Sequence, residues 1–210
     1  MAPPTTGPVV DARFCAPHAT EFTVSKNQVR RPDRDMTITD ADGAAVMRVE
    51  GPALCWPRRA LLLDAASCHT VVTVKRCPSL LPVTRRWEAF RGGIVSPDEL
   101  LFSTVSQPWV FSRGVVHVHL AGGGNHRRGS ERRVDYVVVC GGQDGRECTV
   151  SVGSRSNGPA VAKIERTTEP SDEEPEYSVS VNPGVDRAFI LALTVILEEI
   201  RVDESRRHRN

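Results

Sequence analysis

The sequence predicts a mainly β fold, a closed antiparallel barrel of about twelve strands around a buried hydrophobic C-terminal helix. Three observations predict it. Short apolar runs, many alternating with polar residues and separated by turn residues, recur between Glu21 and Val181; alternation is the period-two signature of strands with one buried face. Valine outnumbers leucine 28 to 12, and a branched Cβ packs well on a pleated surface. Near the C-terminus, Ala188–Leu197 (AFILALTVIL) runs for ten residues without a charge. Wound at about 100° per residue, its side chains cover the whole circumference, so the helix must be enclosed on every side or lie in lipid.

The enclosed reading follows from length. A bilayer span needs about 20 apolar residues, and this run is bounded by Asp186 and Arg187 on one side and by Glu198 and Glu199 on the other. Extended to Val185–Arg201, the helix has 17 residues, about 25 Å at 1.5 Å each. Asp186 near its start and Arg201 near its end suit the helix dipole. Short strands wrapped around such a helix bury it, and closing the sheet removes exposed edges.

The elements follow in order. Residues 1–20 hold four prolines and read as a flexible lead. Residues 21–202 form a single barrel domain, and residues 203–210 a charged tail. Met36–Asp40 and Ala45–Val49 flank Asp42-Gly43, a hairpin signal. Ala60–Asp64 pairs with Thr70–Lys75. Trp87–Phe90 ends at Gly92-Gly93 and Leu100–Val105 follows. Val115–Leu120 sets Val116, Val118 and Leu120 on one face. Val134–Cys140 runs into Gly141-Gly142, and Glu147–Val152, Ala160–Arg166 and Tyr177–Val181 complete the set. Two loops carry opposite charge: Gly122–Arg133 holds Arg127, Arg128, Arg132 and Arg133 with one acid, and Glu169–Glu176 holds five acids.

Composition excludes several function classes. The net charge is +1, which excludes a strongly basic nucleic-acid binder, so direct nucleic-acid binding is not expected. A hydrophobic content of 40% excludes disorder throughout. The 24 arginines against 3 lysines read first as GC-rich codon usage and second as selection for bidentate phosphate contacts. The N-terminus lacks an export signal, so the six cysteines, none in a CxxC pair, are expected to be reduced thiols in the cytoplasm.

Candidate chemistry is sparse. His117 and His119 share one face, opposite the apolar one, without a third metal ligand. Cys68-His69 would point to opposite faces of a strand, a poor nucleophile–base geometry. Gly122-Gly123-Gly124 is not followed by the Gly-Lys-Ser/Thr of a phosphate loop. Arg86, Trp87, Phe90 and Arg91 mix cations with aromatics, and Trp87 is expected in the core. The chain is therefore read as non-enzymatic, with no catalytic, cofactor or metal residues.

Several stretches resemble one family. They are VVDARFCAP from Val9, MTITDADG from Met36, RALLLD from Arg59, VVTV from Val71, RWEAFRGG from Arg86 and YSVSVNPGVDRAFILALTVILEEI from Tyr177. Together they resemble the LURP-one-related family of plants, part of the tubby-like C-terminal superfamily. Arg187 departs from the pattern, since the family often has an aromatic there; a charge at that position belongs at a barrel mouth. The resemblance implies a twelve-stranded barrel around a hydrophobic helix. It also implies kinship with phosphoinositide-binding tubby proteins, more distant kinship with phospholipid scramblases, and a link to plant defence.

The leading functional expectation is a module that binds phosphoinositide or other anionic headgroups, or a protein partner. Arg127, Arg128, Arg132 and Arg133 are the lipid candidates, each contributing about 1 kcal/mol near an anionic surface. The alternatives are a membrane-tethered transcription regulator released to the nucleus and a scramblase-like activity. The expected location is cytoplasmic, with peripheral membrane and nuclear residence as extensions.

Overall fold

A computed structural model of the chain describes residues 7–26, 35–51, 58–78, 85–106, 114–122, 133–141, 146–154, 157–167 and 176–207, with residues 205–207 described by backbone alone. Among these residues the chain forms twelve strands: β1 (Thr20–Lys26), β2 (Met36–Asp40), β3 (Ala45–Glu50), β4 (Arg59–Asp64), β5 (Thr70–Cys77), β6 (Arg85–Arg91), β7 (Leu100–Ser106), β8 (Gly114–Leu120), β9 (Tyr136–Gly141), β10 (Glu147–Val152), β11 (Ala160–Thr167) and β12 (Glu176–Val181). Each pairs antiparallel with its sequence neighbours, and β1 pairs with β12, so the sheet closes into a barrel without an edge.

Hairpin chemistry sets the connections. Asp40 Oδ1 accepts from the Asp42 and Ala44 amides at 3.1 and 2.9 Å, and Gly43 takes a φ of +80°, which glycine adopts without steric cost. Gly92, at +61°, turns the chain from β6 toward β7. Apolar residues line most of the inward face: Val72 and Val74 on β5, Val116 and Val118 on β8, Val150 on β10 and Val179 on β12 are all buried, while Thr104 on β7 is a buried polar exception.

Helix α1 (Arg187–Arg207) fills the barrel. Residues Ala188–Leu197 are buried on every side. Phe189 meets Phe102 edge-on at 5.1 Å and Tyr136 at 5.0 Å, between ring centroids, the geometry favoured by ring quadrupoles. Trp87 lies in the core, as expected. Among the described residues no helix is long and apolar enough to cross a membrane.

Three boundaries differ from expectation. The helix begins two residues later than Val185, because Asp186 is its cap: its Oδ1 accepts from the Phe189 amide at 3.2 Å. The helix also continues to Arg207, so the expected tail from 203 is helical at its start, and Asp203 is buried. The expected flexible lead is docked in part. Val10 and Phe14 are buried, residues Ala12–Phe14 form a 3-10 turn, and Cys15 bridges to Asp186. Apolar burial and the Asp186 carboxylate hold this segment.

Candidate functional site

Side chains from strands and helix occupy the interior, so among the described residues the chemistry lies at the two mouths of the barrel and on its outer face. The mouth at the start of the helix is organised by Asp186. Its Oδ2 accepts from the Val10 amide at 2.6 Å and the Asp11 amide at 3.1 Å. Arg91 donates to the Val10 carbonyl. Arg187 stands at this mouth, 6.0 Å from the Phe14 ring centroid, and Arg13 covers the same ring at 4.7 Å. The strand ends Leu120 and Tyr136, which flank the arginine-rich loop, belong to this end of the barrel.

The mouth at the end of the helix is built from charge. Glu198, Glu199, Asp203 and Glu204 lie within the last turns of α1, where the dipole disfavours acids. Cations from the barrel wall offset them. Lys26 sits 2.5 Å from Glu198. Arg58 pairs with Asp203 and lies 3.5 Å from Glu199. Arg76 meets Asp203 at 2.9 Å, and Arg85 meets Glu204 at 2.5 Å. Arg85 is nearly enclosed, and its Nη1 also donates to the Ile200 carbonyl at 3.3 Å. Alternation places these cations on the inward side, and each reaches the helix because its strand ends at that layer. Tyr177 donates to Glu198. Burial and then the Glu198 charge push the Tyr177 phenol above its ordinary range, so the hydroxyl remains a donor.

Cys140 and Cys148 face each other directly across β9 and β10, with Cα atoms 4.0 Å apart, and form a disulfide. This corrects the expectation of six reduced thiols: the register brings two inward thiols into contact, and both are buried from solvent. Cys15, Cys68 and Cys77 are free. Cys77 is pushed up to about 11, first by burial and then by Glu88, which suppresses its thiolate.

The remaining sequence candidates separate. Arg133 is exposed, and its carbonyl lies 2.8 Å from His119 Nδ1. Arg127, Arg128 and Arg132 lie outside the described residues, as do Gly123 and Gly124. His117 and His119 are half-buried on the outer side of β8. Cys68 sits in the turn between β4 and β5 with a φ of +57°, not on a strand. Ser67 donates there to Asp64 through its amide and its hydroxyl, holding that carboxyl below the usual range. Among the described residues no group of three His, Cys, Asp or Glu is placed to hold a metal. A groove of about 530 Å³ along β2 and β3 is lined in part by Asp35, Arg48 and Glu50, a mixed set without one sign of charge.

Comparison with known proteins places this architecture. The family model for LURP-one-related proteins matches residues 20–198. The chain belongs to the LURP-one-related family. It is 28% identical to Protein LURP-one-related 15 of Arabidopsis thaliana, covering 94% of this chain and 88% of that protein. Identity to Protein LURP-one-related 1 of the same plant is 26%, over 95% and 86% of the two chains. An X-ray structure of an Arabidopsis thaliana protein superimposes with a TM-score of 0.67 at 28% identity, covering 93% of this chain and 99% of that one. The Asp186 cap and the charged exit mouth thus sit on a LURP-one-related barrel.

The charged mouth was not read from the sequence, although part of its signal is there. Lys26, Arg58, Arg76 and Arg85 each close an apolar strand on its inward parity. Four acids follow the apolar helix within seven residues.

Proposed function

We propose that this LURP-one-related protein is a non-enzymatic binding module that engages an anionic membrane surface through its exterior. One observation carries the reading: α1 occupies the barrel interior. A ligand must therefore meet the mouths or the outer face. In sequence, Gly122–Arg133 carries four arginines against one acid. That loop follows β8 at the mouth where the helix starts, and Arg133 is exposed there. Arginine presents a planar fork to phosphate oxygens, so phosphoinositide headgroups fit its chemistry. A role in plant defence, implied by the resemblance, belongs to this proposal. Scramblase-like insertion of α1 is not favoured, since removing the helix from the barrel would expose its whole apolar circumference and empty the core.

Liposome co-sedimentation tests the proposal. Vesicles with phosphoinositide should pellet the protein, and vesicles of neutral lipid should not. Replacing Arg127, Arg128, Arg132 and Arg133 by Ala should abolish pelleting. Equal pelleting by the quadruple variant would overturn the assignment to this loop, and no lipid-dependent pelleting would overturn the function.

A further inference from the structure

We propose that Asn157 is a site of spontaneous deamidation, in which the Gly158 amide nitrogen displaces the side-chain ammonia and leaves aspartyl and isoaspartyl forms of the chain. Asn157-Gly158 is the one Asn-Gly pair in the sequence. It lies in the connection from β10 to β11, with Asn157 exposed and Gly158 half-buried. Asparagine is a thermolabile residue, and exposed loop tips are where a chain tolerates change.

The reaction balances without an oxidant or a reductant. The deprotonated Gly158 nitrogen attacks Asn157 Cγ and a C–N bond forms. The Cγ–Nδ2 bond breaks, and ammonia leaves with the proton that the Gly158 amide gave up. The product is a cyclic imide, which water opens at either carbonyl. Cleavage of the nitrogen's bond to Cγ gives aspartate. Cleavage of its bond to the main-chain carbon gives isoaspartate, in which the backbone runs through Cβ and Cγ. In sum, asparagine and water become a carboxylate and ammonia. Glycine in the second position admits the attack, because it has no Cβ to obstruct Cγ and its backbone rotates freely.

The structure separates this pair from its competitors. The Val152 amide donates to the Pro159 carbonyl at 3.1 Å, and Gly158 lies in the turn beyond that bond. Among the described residues the Gly158 amide donates to no backbone acceptor. At Asp42-Gly43, where an aspartate could form the same imide, the Gly43 amide donates to the Asp40 carbonyl at 3.0 Å and is held in the hairpin. Asn182 precedes Pro183, which has no amide proton to lose, and its Nδ2 donates to the Ala160 carbonyl at 2.8 Å. The Gly153 amide, in the same connection as Asn157, donates to the Asp135 carbonyl at 2.7 Å. The segment that gains the carboxylate therefore adjoins the entry to β9, where the arginine-rich loop ends. The formal net charge falls from +1 to zero. The reaction needs no lipid, so it stands or falls independently of the membrane reading above.

Incubation of the folded full chain in mildly alkaline buffer at physiological temperature, followed by proteolysis and tandem mass spectrometry, tests the proposal. The peptide that carries Asn157 should gain, with time, the mass difference between OH and NH2, and should divide into two forms. One of them should accept a methyl group from an isoaspartyl methyltransferase. The intact chain should move to a more acidic position on isoelectric focusing, by one charge. The peptide that carries Asn182 should stay unchanged. Asn157→Gln and Gly158→Ala should both lose the acidic shift, the first by lengthening the side chain and the second by placing a Cβ beside the attacking nitrogen. A synthetic peptide spanning residues 154–163 sets the time scale of the unfolded sequence. No gain at Asn157 in the folded chain while that peptide deamidates would overturn the site. A product with aspartate alone, or equal gain at Asn182, would overturn the imide route.

Discussion

Asp186 and Val10 stand 176 positions apart in the chain, yet the Asp186 carboxylate accepts the Val10 amide at 2.6 Å. The same side chain caps α1 through the Phe189 amide. One buried residue thus joins the N-terminal segment to the start of the central helix.

Asp186→Ala should cost about 2–4 kcal/mol, combining a lost helix cap with amides left unpaired. Asp186→Asn should cost less, because one acceptor oxygen remains for the cap. Urea denaturation monitored by circular dichroism measures both. A loss below about 0.5 kcal/mol for the Ala variant, the range of ordinary surface changes, would refute the double role.

Asp203 meets Arg58 and Arg76 together, and it lies where the helix leaves the barrel. Asp203→Ala should cost about 1–3 kcal/mol, below the full value for a buried pair because both arginines are partly solvated. The Arg58→Ala/Asp203→Ala cycle should show a coupling of about 1 kcal/mol. Strict additivity of the two single variants would show that the contact contributes nothing.

The Cys140–Cys148 bond predicts a thiol count. Denatured protein that has never met reductant should expose two fewer reactive thiols than the same protein after reduction, measured with a chromogenic disulfide reagent. Cys140→Ser/Cys148→Ser should remove the difference. Equal counts before and after reduction would restore the reading of six free thiols.

The barrel was legible because its signals are local. Alternation in Val115–Leu120 or Glu147–Val152 reports a buried face directly, and the fully apolar Ala188–Leu197 demands enclosure whatever surrounds it. The resemblance to LURP-one-related proteins pointed to the same architecture. The N-terminal docking was not legible, because nothing near Val10 indicates that its amide will meet a carboxylate at the other end of the chain.

The same division separates what the sequence by itself determined from what the tertiary structure decided. Side-chain periodicity alone determined the approximate strand count, the inward valines and the central helix. Only closure of the barrel decided which residues at strand ends share a layer. Register placed Cys140 against Cys148 and Arg146 against Arg166, and the depth of the helix carried its acids to Arg58, Arg76 and Arg85. Periodicity assigns a residue to a face, whereas charge pairing and disulfide bonding depend on distances of a few ångströms between strands, which are set only when the sheet closes on its helix.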